Sequence, residues 1–145
     1  MGNNKLRSIN THFWNDNYVV NLDPIEKLLF LYLLTNENTN MLGIYELNLR
    51  RIAFDTGIDK DMLIKIFDRF NRDGRMTYTN GFVILHKFIK HQRYNTNMIK
   101  SAIRAFNELP DSVRNQQICA RVGGYLEALT KGSEPFESLP KIEIE

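Results

Sequence analysis

The chain has 145 residues, 43% of them hydrophobic and 11% aromatic, which is enough apolar bulk for one core and fits a single domain with a tail. Its formal charge of +2 is unevenly spread, since residues 1–126 hold 17 Lys and Arg against 12 Asp and Glu whereas residues 127–145 hold 2 against 5. A lone cysteine, Cys119, excludes an intrachain disulfide framework; the start MGNNKLRSIN lacks a secretory leader's apolar run, and the stretch IEKLLFLYLL is too short to cross a bilayer, so a cytoplasmic protein with no membrane partner is expected.

Residues 8–21 mix Phe13, Trp14, Tyr18, Val19 and Val20 with polar neighbours and read as an extended arm or short helix. Leu22-Asp23-Pro24 then starts a helix: Asp23 caps it, Pro24 loses nothing at the first helical position, and Glu26 completes a capping box. This helix runs to about Thr35, and Leu28, Leu29, Leu31, Tyr32, Leu33 and Leu34 leave it little polar face, the pattern of a central core helix. After the polar loop NENTNMLG, Ile44 to Leu47 reads as a one-sided strand, and Asn48 caps a second helix, LRRIAFDT, that stops at Gly57. Asp59 caps a third, KDMLIKIFDRFNRD, in which Leu63, Ile66, Phe67 and Phe70 form one buried face. Two short helices across so brief a turn are the outline of a helix-turn-helix.

Gly74 ends the third helix and MTYT-NG-FVIL follows, with Asn80-Gly81 at the centre of a type I′ hairpin. With Thr79 opposite Phe82, the residues Met76, Tyr78, Val83 and Leu85 share a face that docks on the helices. Thr77, Phe82, Ile84 and His86 share the other, where Phe82 and Ile84 need a cover. Residues 87–94, KFIKHQRY, are basic with apolar insertions, and a further helix spans about 97–109. A helical segment over 111–130 is weakened by Gly123-Gly124, and TKGSEPFESLPKIEIE reads as a tail. The expected fold is mainly α with a small β-hairpin: a winged helix-turn-helix with additional C-terminal helices. Residues 1–110 form the winged-helix domain with its N-terminal arm, and 111–145 a short helical extension with an acidic tail.

Between Lys60 and Arg104, ten basic residues face three acidic ones, a balance that attracts a polyanion. In a winged helix the third helix enters the major groove of duplex DNA and the hairpin lies against adjacent backbone. The candidate DNA-binding residues are therefore Lys60, Lys65, Arg69 and Arg72 on the third helix, Arg75 before the hairpin, and Lys87, Lys90 and Arg93 after it, where His91 completes the densest basic patch. Arg69 and Arg72 also suit a helix C-terminus without any ligand. Arg50 and Arg51 are positioned for phosphate contact or for plain solvent exposure; Thr77, Thr79 and Asn80 offer neutral donors, and Tyr94 either stacks on a base or joins the core. Phe13, Trp14, Tyr18, Val20, Phe82 and Ile84 offer an oligomer interface, with packing of the arm on its own domain as the alternative. No phosphate-binding glycine loop, HExxH, G-x-S-x-G or CxxC is present, and His12, His86 and His91 are scattered. A non-catalytic protein without metal or cofactor is expected, its alternative being a protein–protein adaptor or transcription-regulator-like winged helix.

Four strings carry a family resemblance: Phe13-Trp14-Asn15-Asp16, LDPIEKLLFLYLLTN at 22–36, GIYELNLRRIAFDTG at 43–57 and FNRDGRMTYTNGFVILHKFIKHQ at 70–92. Together they resemble, over roughly residues 7–110, the N-terminal domain of phage replisome-organiser proteins related to the DnaD type of primosomal protein. The resemblance implies a winged-helix domain from low-GC Gram-positive bacteria or their phages, at work in the host cytoplasm or nucleoid. Its implied task is to initiate replication by binding origin DNA, or to assemble with replication proteins such as a helicase loader. Self-association as a dimer or higher oligomer is also implied. Only about 35 residues follow Pro110, fewer than the C-terminal region such proteins often carry, so a short member or one of reduced partner-binding capacity is expected.

Overall fold

A computed structural model describes residues 5–131. Thr11–Asn15 makes a 3-10 turn and Asn17–Val20 a single helical turn, α1, capped by the Asp16 carboxylate, which accepts from the Tyr18 and Val19 N–H groups. The expected capping box starts α2, Pro24–Thr35, where Glu26 Oε1 accepts from the Asp23 N–H at 2.8 Å. β1, Ile44–Glu46, precedes α3, Leu49–Thr56, and α4, Lys60–Arg72. Asn48 and Asp59 cap those two helices through side-chain oxygens that accept from Arg51 N at 2.7 Å and Met62 N at 2.9 Å. The hairpin strands β2, Met76–Thr79, and β3, Phe82–Leu85, follow, then a 3-10 turn at Ile89–His91. The remaining helices are α5, Thr96–Asn107, α6, Asp111–Arg114, and α7, Gln117–Thr130. The fold is mainly helical with one small antiparallel sheet, and no described helix is long and apolar enough to cross a membrane.

The sheet order is β1-β3-β2, with β3 paired to both neighbours. Thr79 opposes Phe82 and Met76 opposes Leu85, the register read from the turn, and Asn80 (φ 53°) and Gly81 (φ 80°) both take the positive φ that a type I′ turn demands. Because side chains alternate across a strand, this register sends Met76, Val83 and Leu85 to one side and Ile84 to the other. The first side closes a core with Leu29 and Leu33 of α2, Ile52 of α3, and Leu63, Ile66, Phe67 and Phe70 of α4.

The second side is where sequence expectations need correction. Ile84 is fully buried beneath α5 and α7, packed in a second core with Ile44, Leu42, Ala102, Val113, Cys119, Val122 and Leu126, and Phe82 packs against that cluster. The missing cover is therefore the chain's own C-terminal helices, and Ile84, fully buried, offers no surface to another subunit, while Phe82 packs against the same cluster and stays half-buried. A boundary at residue 110 likewise falls inside this second core, between buried Leu109 and Val113. β1 is covered on both sides for the same reason, with Ile44 in one core and Tyr45 in the other. α2, expected as the central core helix, buries Leu29 and Leu33 but leaves Ile25 and Leu28 about half exposed, since it is covered from one side only. α7 runs through Gly123-Gly124 without a break, and the expected 111–130 segment is divided instead at Asn115-Gln116, between α6 and α7. Gly123 has a packing reason to stand in α7, because a Cβ there would lie 3.1 Å from the Phe106 ring. Of the tail expected from Thr130 onward, Thr130 is the last residue of α7 and Lys131 its C-cap, and residues 132–145 lie outside the described residues.

Candidate nucleic-acid interface

The buried stripe Leu63, Ile66, Phe67 and Phe70 fixes which side of α4 faces outward. At 3.6 residues per turn, the spacing 4-3-4 places Asp61, Lys65, Asp68 and Arg72 in one row on the opposite, exposed side. The row alternates in sign, and Arg72 Nη1 lies 3.8 Å from Asp68 Oδ2 with both side chains largely in solvent. Lys60 is exposed at the first turn. Ile64, 52% exposed, flanks the row on one side, and the less exposed Met62 on the other. Both apolar residues fall outside the buried period of α4, so the sequence pattern does not mark them, and the same holds for Phe54 on α3, 84% exposed.

Arg69 does not belong to this outward set. Its Nη1 lies 2.6 Å from Glu26 Oε1 and its Nε 3.7 Å from Asp73 Oδ2, so it ties the C-terminal half of α4 to the start of α2. The hydrogen bond to Glu26, more than any other contact, raises the Arg69 pKa. Glu26 needs such a partner because it is buried while also capping α2. Arg75 is half-buried, with its guanidinium 4.3 Å from the centroid of the Tyr18 ring. Tyr18 in turn donates to Asp73 Oδ2 at 2.7 Å, and burial followed by this hydrogen bond drives its phenol pKa well above the ordinary value. Both residues thus clamp α1 to the end of α4, so half-buried Tyr18 takes part in the alternative arrangement, packing of the arm on its own domain, and Arg75 is held by the fold.

Beyond β3, half-buried Lys87 and Lys90 stand close to His91, and Arg93 is exposed. His91 is exposed as a residue, yet partial desolvation of its ring comes first in lowering its pKa, followed by the charges of Lys90 and Lys87; Asp16 opposes them and Arg75 adds to them. The charges of Arg75, Lys87 and Lys90, opposed by Asp16, therefore all act on one imidazole, and Arg75 also lines a polar cleft of about 310 Å3 with His12, Asn15, Asp16, Asn17 and Tyr18. Thr77 Oγ1 is committed inside the protein, 2.6 Å from Asn71 Oδ1 and 2.6 Å from His86 Nε2. Arg51 is committed too, its Nε donating to Asp55 Oδ2 at 2.9 Å while the Tyr32 hydroxyl donates to the same oxygen at 2.6 Å. Arg50 is exposed.

Comparisons with family models, with curated proteins and with solved structures find no match. The site is therefore read from its own chemistry. Tyr94 donates to the Met41 carbonyl and packs with the second core, which removes its ring from any role as a stacking platform. Cys119 is fully buried and burial pushes its thiol up to about 11, the environment of a filling residue rather than a nucleophile. In the arm, half-buried Phe13 packs edge-on against Phe30 at 5.8 Å, whereas Trp14 and Val20 remain more than half exposed.

Proposed function

We propose that the chain is a non-catalytic winged-helix protein that binds duplex DNA, of the kind that initiates or organises phage-type replication in a bacterial cytoplasm. The observation that carries this reading is one arrangement: α2, β1, α3 and α4 followed by a hairpin whose second strand pairs with β1, with α4 turning Lys60 and Lys65 to solvent. The buried side of α4 rests on the sheet and α2, so its outer side is available to a groove about 12 Å wide. The half-buried Lys87 and Lys90 and the exposed Arg93, which follow the hairpin, add long-range attraction for phosphate without selecting sequence. The replication role rests on the resemblance of residues 13–16, 22–36, 43–57 and 70–92 to replisome organisers, and a helicase loader or related replication protein is the accompanying protein partner.

Fluorescence anisotropy of a labelled duplex, titrated over a range of salt concentrations, tests the DNA reading. Binding should fall steeply with salt, and Lys60→Glu with Lys65→Glu should weaken it and reduce the log–log salt slope by about two. Unchanged affinity in the double variant would refute contact through α4. One observation favours a second reading, a protein adaptor: the alternating charges of Asp61, Lys65, Asp68 and Arg72, with exposed Ile64 and Met62 beside them, also suit a protein surface. An adaptor would ignore duplex at moderate salt while sedimenting as an oligomer or with an acidic protein.

A further inference from the structure

The outward face of α4 is mixed in charge and does more than clamp phosphate. Asp61 and Asp68 sit within the same row as Lys65 and Arg72, so a groove-facing α4 would present carboxylates to a duplex already dense in negative charge. A carboxylate is tolerated there when it meets a hydrogen-bond donor, and in the major groove donors are base amino groups. Cytosine offers N4–H2 beside an apolar C5–H edge. Adenine offers N6–H2 beside the N7 acceptor, which repels a carboxylate. Asp68 therefore matches cytosine better than any other base. Ile64 lies one turn before Asp68 on the same side of the helix and is 52% exposed, with no charge of its own. The apolar feature of the major groove that such a side chain fits is the thymine methyl group.

We propose, resting on the duplex-binding reading, that α4 reads sequence directly, with Asp68 accepting from a cytosine amino group and Ile64 packing on a thymine methyl. Four residues advance a helix by about 6 Å, and successive bases rise by about 3.4 Å. The thymine and the cytosine are accordingly within about two base-pair steps of each other. The Asp68–Arg72 pair, 3.8 Å apart and mostly solvated, opens at little cost, leaving Arg72 to follow the groove toward guanine or phosphate. Sequence selection resides with Asp68 and Ile64, and Lys60 and Lys65 together with the basic residues after the hairpin supply position and affinity.

The test is selection from a random duplex library with the full chain, followed by anisotropy on the enriched duplex. The enriched sequence should hold a T and a C at that spacing. Asp68→Ala should flatten the preference at the C·G pair, where the native chain discriminates by roughly tenfold. Replacing the thymine by uracil, which deletes only the methyl, should weaken native binding by roughly threefold to tenfold and leave Ile64→Ala unaffected. Both side chains are exposed, so both variants keep the fold, and circular dichroism checks this. Enrichment of no sequence, or variants that keep the native preference and the native response to uracil, would overturn the proposal while leaving DNA binding intact. A chain that retains no duplex from the library at low salt would sink the duplex-binding reading itself, and this proposal with it.

Discussion

Replacing Ile84 by alanine separates a core residue from a subunit contact, because the two roles predict different measurements. The side chain is fully buried between the sheet and the layer of α5 and α7. Alanine removes three carbons, which at about 0.8 kcal/mol per buried CH2 is about 2.4 kcal/mol of lost transfer energy. A residual cavity of roughly 60 Å3 at about 24 cal/mol per Å3 adds about 1.5 kcal/mol before relaxation, so the total is about 3 to 4 kcal/mol. In urea, where a chain of this size has a slope near 2 kcal/mol per molar, the midpoint should fall by about 2 M. Val20→Ala, at a position 52% exposed, serves as the control and should stay within about 0.5 kcal/mol. A loss under about 1 kcal/mol for Ile84→Ala, or a change in sedimentation without a change in stability, would refute the two-core arrangement of the sheet.

Arg69→Met should destabilise by about 2 kcal/mol, because it strands the buried Glu26 carboxylate. The salt slope of duplex binding should not change, and a reduced slope would return Arg69 to the DNA-contacting set. Gly43 has φ +80° and a Cβ there would lie 2.6 Å from Phe88 Cβ, so Gly43→Ala should cost about 3 kcal/mol in urea denaturation, more than an ordinary surface change. His86 supplies a pH dependence. Burial, reinforced by Arg121, holds its pKa below the ordinary 6.5 despite its hydrogen bond to the Gly74 backbone. The unfolded chain takes up a proton near pH 6.5 that the folded chain refuses, so stability is full above that pH and declines as pH falls toward the folded pKa. His86→Gln should flatten part of that decline in denaturation curves taken between about pH 7.5 and pH 5, and an unaltered profile would show that the ring titrates normally.

The sequence by itself determined the local structure. Asn48 and Asp59 cap helices because their oxygens reach N–H groups three residues away, and Asp23 starts one through its capping box with Glu26. Asn80-Gly81 set the hairpin register because only residues that accept positive φ make that turn. Those effects act within a few residues, so the local sequence contains them. The tertiary structure decided which charges face solvent. Arg69 and Arg72 are indistinguishable by composition and both lie near the end of α4, yet Arg69 meets Glu26 from 43 positions away while Arg72 points outward. Tyr18 meets Asp73 across 55 positions in the same manner. The alternation of strand side chains showed that Ile84 would need a cover, but α5 and α7 could be identified as that cover only once their burial against the sheet was seen. Packing between distant elements is set by the sum of many weak apolar contacts, and no short stretch of sequence records that sum.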